Sequence, residues 1–177
     1  TFNGGGNDML RPGTDLPEII ARTEAALRRI MASGAETVLV AGANPTGGLP
    51  LGSRVARKGD ALARAAGELA SRLGIRFADN WTDPELAGPQ YWSVDRLHLN
   101  PIGHQRVAAN VLAALGRPAP GGWETQAPAP GRAPSFVENA RFAREHVAPW
   151  VKRRLTGRSS GDGRLPKYGE WTVIEPR

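Results

Sequence analysis

The sequence predicts a three-layer α/β/α sandwich built on a mostly parallel sheet. Three observations predict it. Short apolar runs rich in β-branched residues alternate with longer stretches whose apolar residues recur at helical spacing. Glycine stands at the end of each of the first two helical stretches. The order, after what reads as a strand end, is helix, strand, helix, strand, helix. Strands separated by helices of this length are joined by crossovers, so neighbouring strands run parallel and functional loops gather at their carboxyl ends.

Taken in order, Phe2 reads as the end of a strand that enters the glycine-rich loop Gly4-Gly5-Gly6-Asn7-Asp8, which continues through Arg11-Pro12-Gly13. Asp15 is placed to cap the first helix and Pro17 suits its first turn. Leu16, Ile19, Ile20, Thr23, Leu27, Ile30 and Met31 mark its inner face, and Gly34 ends it. Val38-Leu39-Val40 has the continuous apolar character of a buried parallel strand, closed by the loop Ala41 to Pro45. A second amphipathic helix starts near Ser53, with Val55, Leu62, Ala66, Leu69, Ala70 and Leu73 on one face and Gly74 behind it. Ile75 to Asp79 follows as a strand. The segment Asn80 to Val94 holds Trp81, Tyr91, Trp92, Pro84 and Pro89 and reads as an ordered loop. Asn100 and Pro101 begin a third helix with Val107, Val111 and Leu115 in one stripe, flanked by Ala108 and Leu112.

Composition changes after Gly116. Residues 117–134 are rich in proline and glycine and read as a linker between a domain over 1–116 and an extension over 135–177. Ser135-Phe136-Val137-Glu138 has the pattern of a capping box opening a basic helix, which Pro149 is expected to kink or divide between His146 and Trp150. Val147, Trp150, Val151 and Leu155 offer it an apolar face.

The 177 residues carry a formal charge of +6, unevenly spread. Residues 1–116 hold 12 Lys/Arg against 11 Asp/Glu, whereas residues 117–177 hold 11 against 6. The excess is a property of the tail, so it does not mark the first domain as a nucleic-acid binder. No stretch approaches the roughly 18 apolar residues of a membrane span. There is no cysteine, which removes disulfides and thiolate metal sites. The compartment stays open, with the cytoplasm as the default.

Two short motifs carry possible chemistry. Asp95-Arg96-Leu97-His98 places a carboxylate three residues before an imidazole, a spacing that lets the carboxylate fix the ring's tautomer and stabilise its cation. The same spacing also arises in ordinary surface turns. Gly5-Gly6-Asn7-Asp8 allows close backbone approach and supplies an amide able to donate to a developing oxyanion. Read plainly, it is a strand-ending turn.

Together, a Gly-Gly-Asn-Asp turn after a strand, an α/β interval, and Asp-x-x-His-Leu-x-x-x-Gly-His leading into a helix resemble the SGNH (GDSL-type) hydrolase family over Phe2 to about Leu115. The resemblance implies a flavodoxin-like α/β sandwich and an ester hydrolase acting through Ser-His-Asp chemistry on a small ester, with no metal or other cofactor. It implies Asn7 as side-chain oxyanion donor, Gly5 as the glycine of that turn, His98 as general base and acid, and Asp95 as the residue orienting His98. The family's Gly-Asp-Ser nucleophile motif has no counterpart in this sequence. The expectation is therefore a fragment incomplete at its N-terminus, which alone does not hydrolyse esters. Trp81, Tyr91 and Trp92 either line the substrate pocket or pack the base of their loop.

Two other readings remain open. One is a non-enzymatic α/β domain using its basic tail to bind nucleic acid or an acidic protein. The other is a metal-dependent phosphoesterase drawing on His98, His104, Asp95 and Asp8, although the chain has only three histidines and the third, His146, lies in the tail.

Overall fold

The computed structural model describes residues 1–8, 13, 15–48, 52–121, 123, 134–156, 165 and 169. The expected continuation of the first loop through Arg11 and Pro12, most of the linker, and nearly all of the tail after Thr156 lie outside the described residues, as do the side chains of Arg153, Arg154 and Leu155. The chain divides into two compact units, Thr1–Ala133 and Pro134–Arg177.

In the first unit, α1 (Leu16–Ala32) leads to β1 (Val38–Ala41), α2 (Gly52–Leu73) to β2 (Arg76–Asp79), and α3 (Pro101–Ala114) follows the long loop. β1 and β2 are parallel, with Val38 opposite Arg76 and Ala41 opposite Asp79. Phe2 joins the other side of β1 through a parallel bridge to Leu39, its N–H donating to the Val38 carbonyl at 2.9 Å and its carbonyl accepting from Val40 at 2.8 Å. The spatial order is thus Phe2, β1, β2, the same as along the chain.

Alternation along the strands assigns the layers. Leu39 faces one side, where it meets Leu27 of α1 and Ala66, Leu69 and Ala70 of α2, with Phe2 and Phe77 packed against them. Val38, Val40 and Ala78 face the other side and meet Val111, Ala114 and Leu115 of α3. Two successive crossovers in the same direction put α1 and α2 on one face, and α3 returns to the opposite one. The result is an α/β sandwich.

The helix ends are local solutions to unpaired backbone groups. Asp15 occupies the N-cap of α1 but its side chain makes no capping bond; Pro17 fills the first turn instead. Gly34, Gly74 and Gly116 end α1, α2 and α3 with positive φ. Asn100 caps α3, its Oδ1 accepting from the Gly103 N–H at 3.0 Å. At the far end of α3, Arg76 of β2 donates to the Ala114 carbonyl at 2.9 Å.

In the second unit, Ser135 and Glu138 complete the capping box of α4 (Phe136–Phe142). A π-helical turn, Ala143–Val147, then precedes α5 (Ala148–Leu155). Pro149 has no N–H and its ring would strike the carbonyl four residues back, so the widened turn just before it keeps the helix running where a kink is expected. Phe142 is buried, its ring centroid 5.5 Å from that of His146. Among the described residues, no helix is long and apolar enough to cross a membrane.

Candidate active site

Three loops leave the carboxyl ends of Phe2, β1 and β2, and two of them carry the residues singled out in the sequence. The first is a tight turn in which the Asp8 N–H donates to the Gly5 carbonyl at 3.0 Å. Gly5 has φ +83°, and a Cβ there would sit 3.0 Å from Ile19 Cγ2 and 3.1 Å from Leu62 Cδ2. Both constraints demand glycine, and they seat the turn on α1 and α2. Asn7, at its tip, is exposed. A cavity of about 380 Å³ borders this turn, with Phe2, Gly5, Asp8, Ile19 and Thr23 in its wall.

The second is the loop after β2. Trp92 and Leu99 form an antiparallel bridge, and the Asn100 N–H donates to the Tyr91 carbonyl at 2.9 Å, so the chain folds back on itself immediately before α3. Between them the backbone turns twice. Arg96 donates its N–H to the Ser93 carbonyl at 2.9 Å and has φ 55°, the one non-glycine positive φ among the described residues. A left-handed conformation at an arginine costs on the order of 1 kcal/mol, and such strain gathers at functional turns.

That turn delivers Asp95 to His98. Asp95 Oδ1 accepts from the N–H groups of Leu97 and His98, each at 3.0 Å, and Oδ2 lies 2.6 Å from His98 Nδ1. Burial alone would raise the Asp95 carboxyl; the hydrogen bonds from the His98 N–H, the His98 ring and the Leu97 N–H outweigh it and hold the group below its ordinary value. Asp95 is therefore ionised at neutral pH and can only accept. Nδ1 is therefore the donor of this pair, and Nε2 is the ring nitrogen that the carboxylate does not engage. The His98 side chain is 73% exposed.

The aromatic residues take different places. Trp81 is 5% exposed and packs with Ala41 and Ala63, its six-membered ring lying on the bare backbone of Gly59. Its Nε1 donates to Asp60 at 2.7 Å. Of its two expected roles, this is the packing one. Tyr91 is buried and donates to Glu85 at 3.0 Å. Trp92 is half-buried, with Nε1 donating to the Leu86 carbonyl at 2.8 Å. The Ser93 hydroxyl, nearest in sequence to His98, donates to the Leu99 carbonyl at 3.2 Å and braces the turn.

His104 is exposed on the first turn of α3. Among the described residues, no three of His, Asp and Glu converge in a way that could hold a metal ion.

Sequence reading missed a partly buried polar network at the base of the same loop, joining Asn80, Asp83, Arg106 and Asn110. Its members are 30 positions apart at the widest, Asn80 to Asn110, and only the fold brings them together.

An α/β domain whose last strand is followed by a carboxylate–imidazole turn, and in which a glycine-locked Asn turn leaves the strand on the far side of β1, matches the order that the sequence resemblance implies. The family model of the GDSL-like Lipase/Acylhydrolase family matches residues 1–106, and the chain belongs to that family. No curated protein and no solved structure matches it. Membership makes it, in general terms, a hydrolase of ester bonds.

Proposed function

We propose that this chain carries the base and part of the oxyanion site of a serine esterase, with His98 as general base and acid, Asp95 orienting it, and Asn7 donating to the oxyanion beside Gly5. One observation supports this most: Asp95 Oδ2 lies 2.6 Å from His98 Nδ1 with Oδ1 tied into the turn, which makes Nδ1 the donor of the pair and leaves Nε2 as the ring nitrogen not engaged by the carboxylate. In this reading the nucleophile is the serine of a Gly-Asp-Ser motif, which these 177 residues do not contain; the Ser93 hydroxyl braces its own turn. Nε2 of His98 takes the serine proton as the hydroxyl attacks the acyl carbon. The alcohol leaves with that proton, and water resolves the acyl-enzyme with His98 again as base. Asn7 stands at the carboxyl end of the sheet, where its amide donates to the tetrahedral oxyanion, a contribution of about 3 kcal/mol in comparable sites. In this reading the cavity beside Gly5 and the side chain of Trp92, on the loop bearing His98, are the candidates for contact with a small ester.

The test is hydrolysis of short p-nitrophenyl esters by a form of the protein that bears the nucleophile serine. His98→Ala is expected to lower kcat by about 10³-fold or more, with a smaller loss for Asn7→Ala of about 10²-fold. Undiminished turnover in His98→Ala overturns the assignment.

A further inference from the structure

We propose that Asp83, Arg106, Asn110 and Asn80 are positioning residues for His98, a partly buried polar clamp that fixes the turn bearing it by tying the loop after β2 to α3; this rests on the reading of His98 as the base. Asp83, its side chain 4% exposed, accepts from Arg106 Nε at 2.8 Å and Nη2 at 3.2 Å, from Asn110 Nδ2 at 2.6 Å and from the Glu85 N–H at 3.0 Å. Asn80, fully buried, accepts from the same Asn110 amide at 2.9 Å and donates to the Ala41 carbonyl at 3.0 Å. The end of β1, the end of β2, the loop and α3 thus meet in one network, and every buried side-chain polar atom among the described residues has a partner.

The clamp adds polar ties to the apolar packing of α3. Val111 and Ala114 in the last turns of α3, and Leu115 at its C-cap, pack on the sheet core. Its first turns, which follow directly from His98, are held by Arg106 and by Asn100. Asn100 Nδ2 donates to the Gln90 carbonyl at 2.6 Å, a second tie between loop and helix. The Asp95–His98 turn lies between these anchored ends, and the exposed His98 ring takes Asp95 as its partner. The position of the ring relative to the other carboxyl-end loops is therefore inherited from the clamp.

The choice of groups fits this role. A buried ion pair adds little net stability over apolar packing, but a bidentate guanidinium–carboxylate fork defines distance and orientation together. Burial alone would raise the Asp83 carboxyl, yet the hydrogen bonds from Arg106, Asn110 and the Glu85 N–H hold it below its ordinary value, so the fork is fully charged at neutral pH.

The experiment reads the His98 ring by ¹H–¹⁵N NMR in the 177-residue chain and in its Asp83→Asn and Arg106→Lys variants, with His146 of the second unit as internal control. Thermal unfolding reports whether the fold is kept. Displaced or broadened His98 signals with unchanged His146 are expected in both variants. In the ester-hydrolysing form, kcat is expected to fall about 10- to 100-fold with KM nearly constant, as misplacement of a reacting group by about 1 Å would give. His98 signals coincident with those of the unaltered chain overturn the clamp. A displaced ring with unaltered kcat upholds the clamp and removes His98 from the base role instead. Should Asp83→Asn unfold, Arg106→Lys supplies the reading, since its side chain is 32% exposed and the substitution keeps the charge while losing the fork.

Discussion

The tautomer of a single imidazole decides what the Asp95–His98 turn can do. An ionised carboxylate accepts only, so it forces the proton onto Nδ1; a carboxamide in the same place can donate and would permit the other tautomer. Asp95→Asn is accordingly expected to retain the fold yet lower kcat on the order of 10⁴-fold. Ring nitrogen shifts should show a population protonated on Nε2, and a variant with full activity and an unaltered tautomer contradicts the assignment. The pairing was legible in the sequence because it is local: three residues of turn suffice to bring the carboxylate to the ring. Gly5 was legible for a related reason, a strand end running into glycines, although its demand for glycine comes from Ile19 and Leu62 as well as from its own backbone. Trp81 was not. Its direction is set by the bare surface of Gly59 on α2 and by Asp60, and nothing in the neighbouring sequence distinguishes a tryptophan lying on such a surface from one lining a pocket.

At the scale of elements, the glycine of the His-Leu-x-x-x-Gly-His run has a mechanical role. A Cβ on Gly103 would lie 2.3 Å from the Tyr91 carbonyl oxygen and 2.9 Å from Leu99 Cδ2, because the first turn of α3 is pressed against the loop that folds back before it. Gly103→Ala is expected to destabilise the first unit by about 1–3 kcal/mol through overpacking against backbone, and to loosen the bond from the Asn100 N–H to the Tyr91 carbonyl. Denaturant unfolding measures the first effect and hydrogen exchange at Asn100 the second; unchanged stability and protection would show that the loop gives way without cost. The helices and both strands were readable from periodicity and closing glycines, with boundaries shifted by a residue, since Ile75 is drawn into the end of α2 by a bond to the Ala70 carbonyl. The interruption at Pro149 was readable as a place. Its form, a π turn centred before the proline, depends on how the preceding carbonyls rearrange, which composition does not encode.

Over the whole molecule, charge is handled in two ways. In the second unit Arg141 and Arg144 both pair with Glu145 at the surface, so part of the tail's positive excess is balanced locally. In the first unit the consequential charges are the partly buried Asp83 and Asp95, both held below the ordinary value of 3.8. The network that holds Asp83 was invisible in the sequence because Asn80, Asp83, Arg106 and Asn110 show no shared pattern until β2 and α3 are packed. It nevertheless sets how the fold responds to acid. For each carboxyl the folded value lies below the unfolded one, so its contribution to stability is complete above 3.8 and is lost as pH falls through the lowered folded value. Tm is therefore expected to change little with these groups near neutrality and to fall steeply below about pH 4. Asp83→Asn should lower Tm at neutral pH, where the charged fork is missing, while flattening the acid limb, because one of the protons taken up on unfolding has been removed. Thermal unfolding followed between neutral pH and about pH 3 makes the comparison. Parallel acid limbs for the two proteins would mean that Asp83 is not held in its charged form by Arg106 and Asn110, and would place the acid sensitivity of the fold elsewhere.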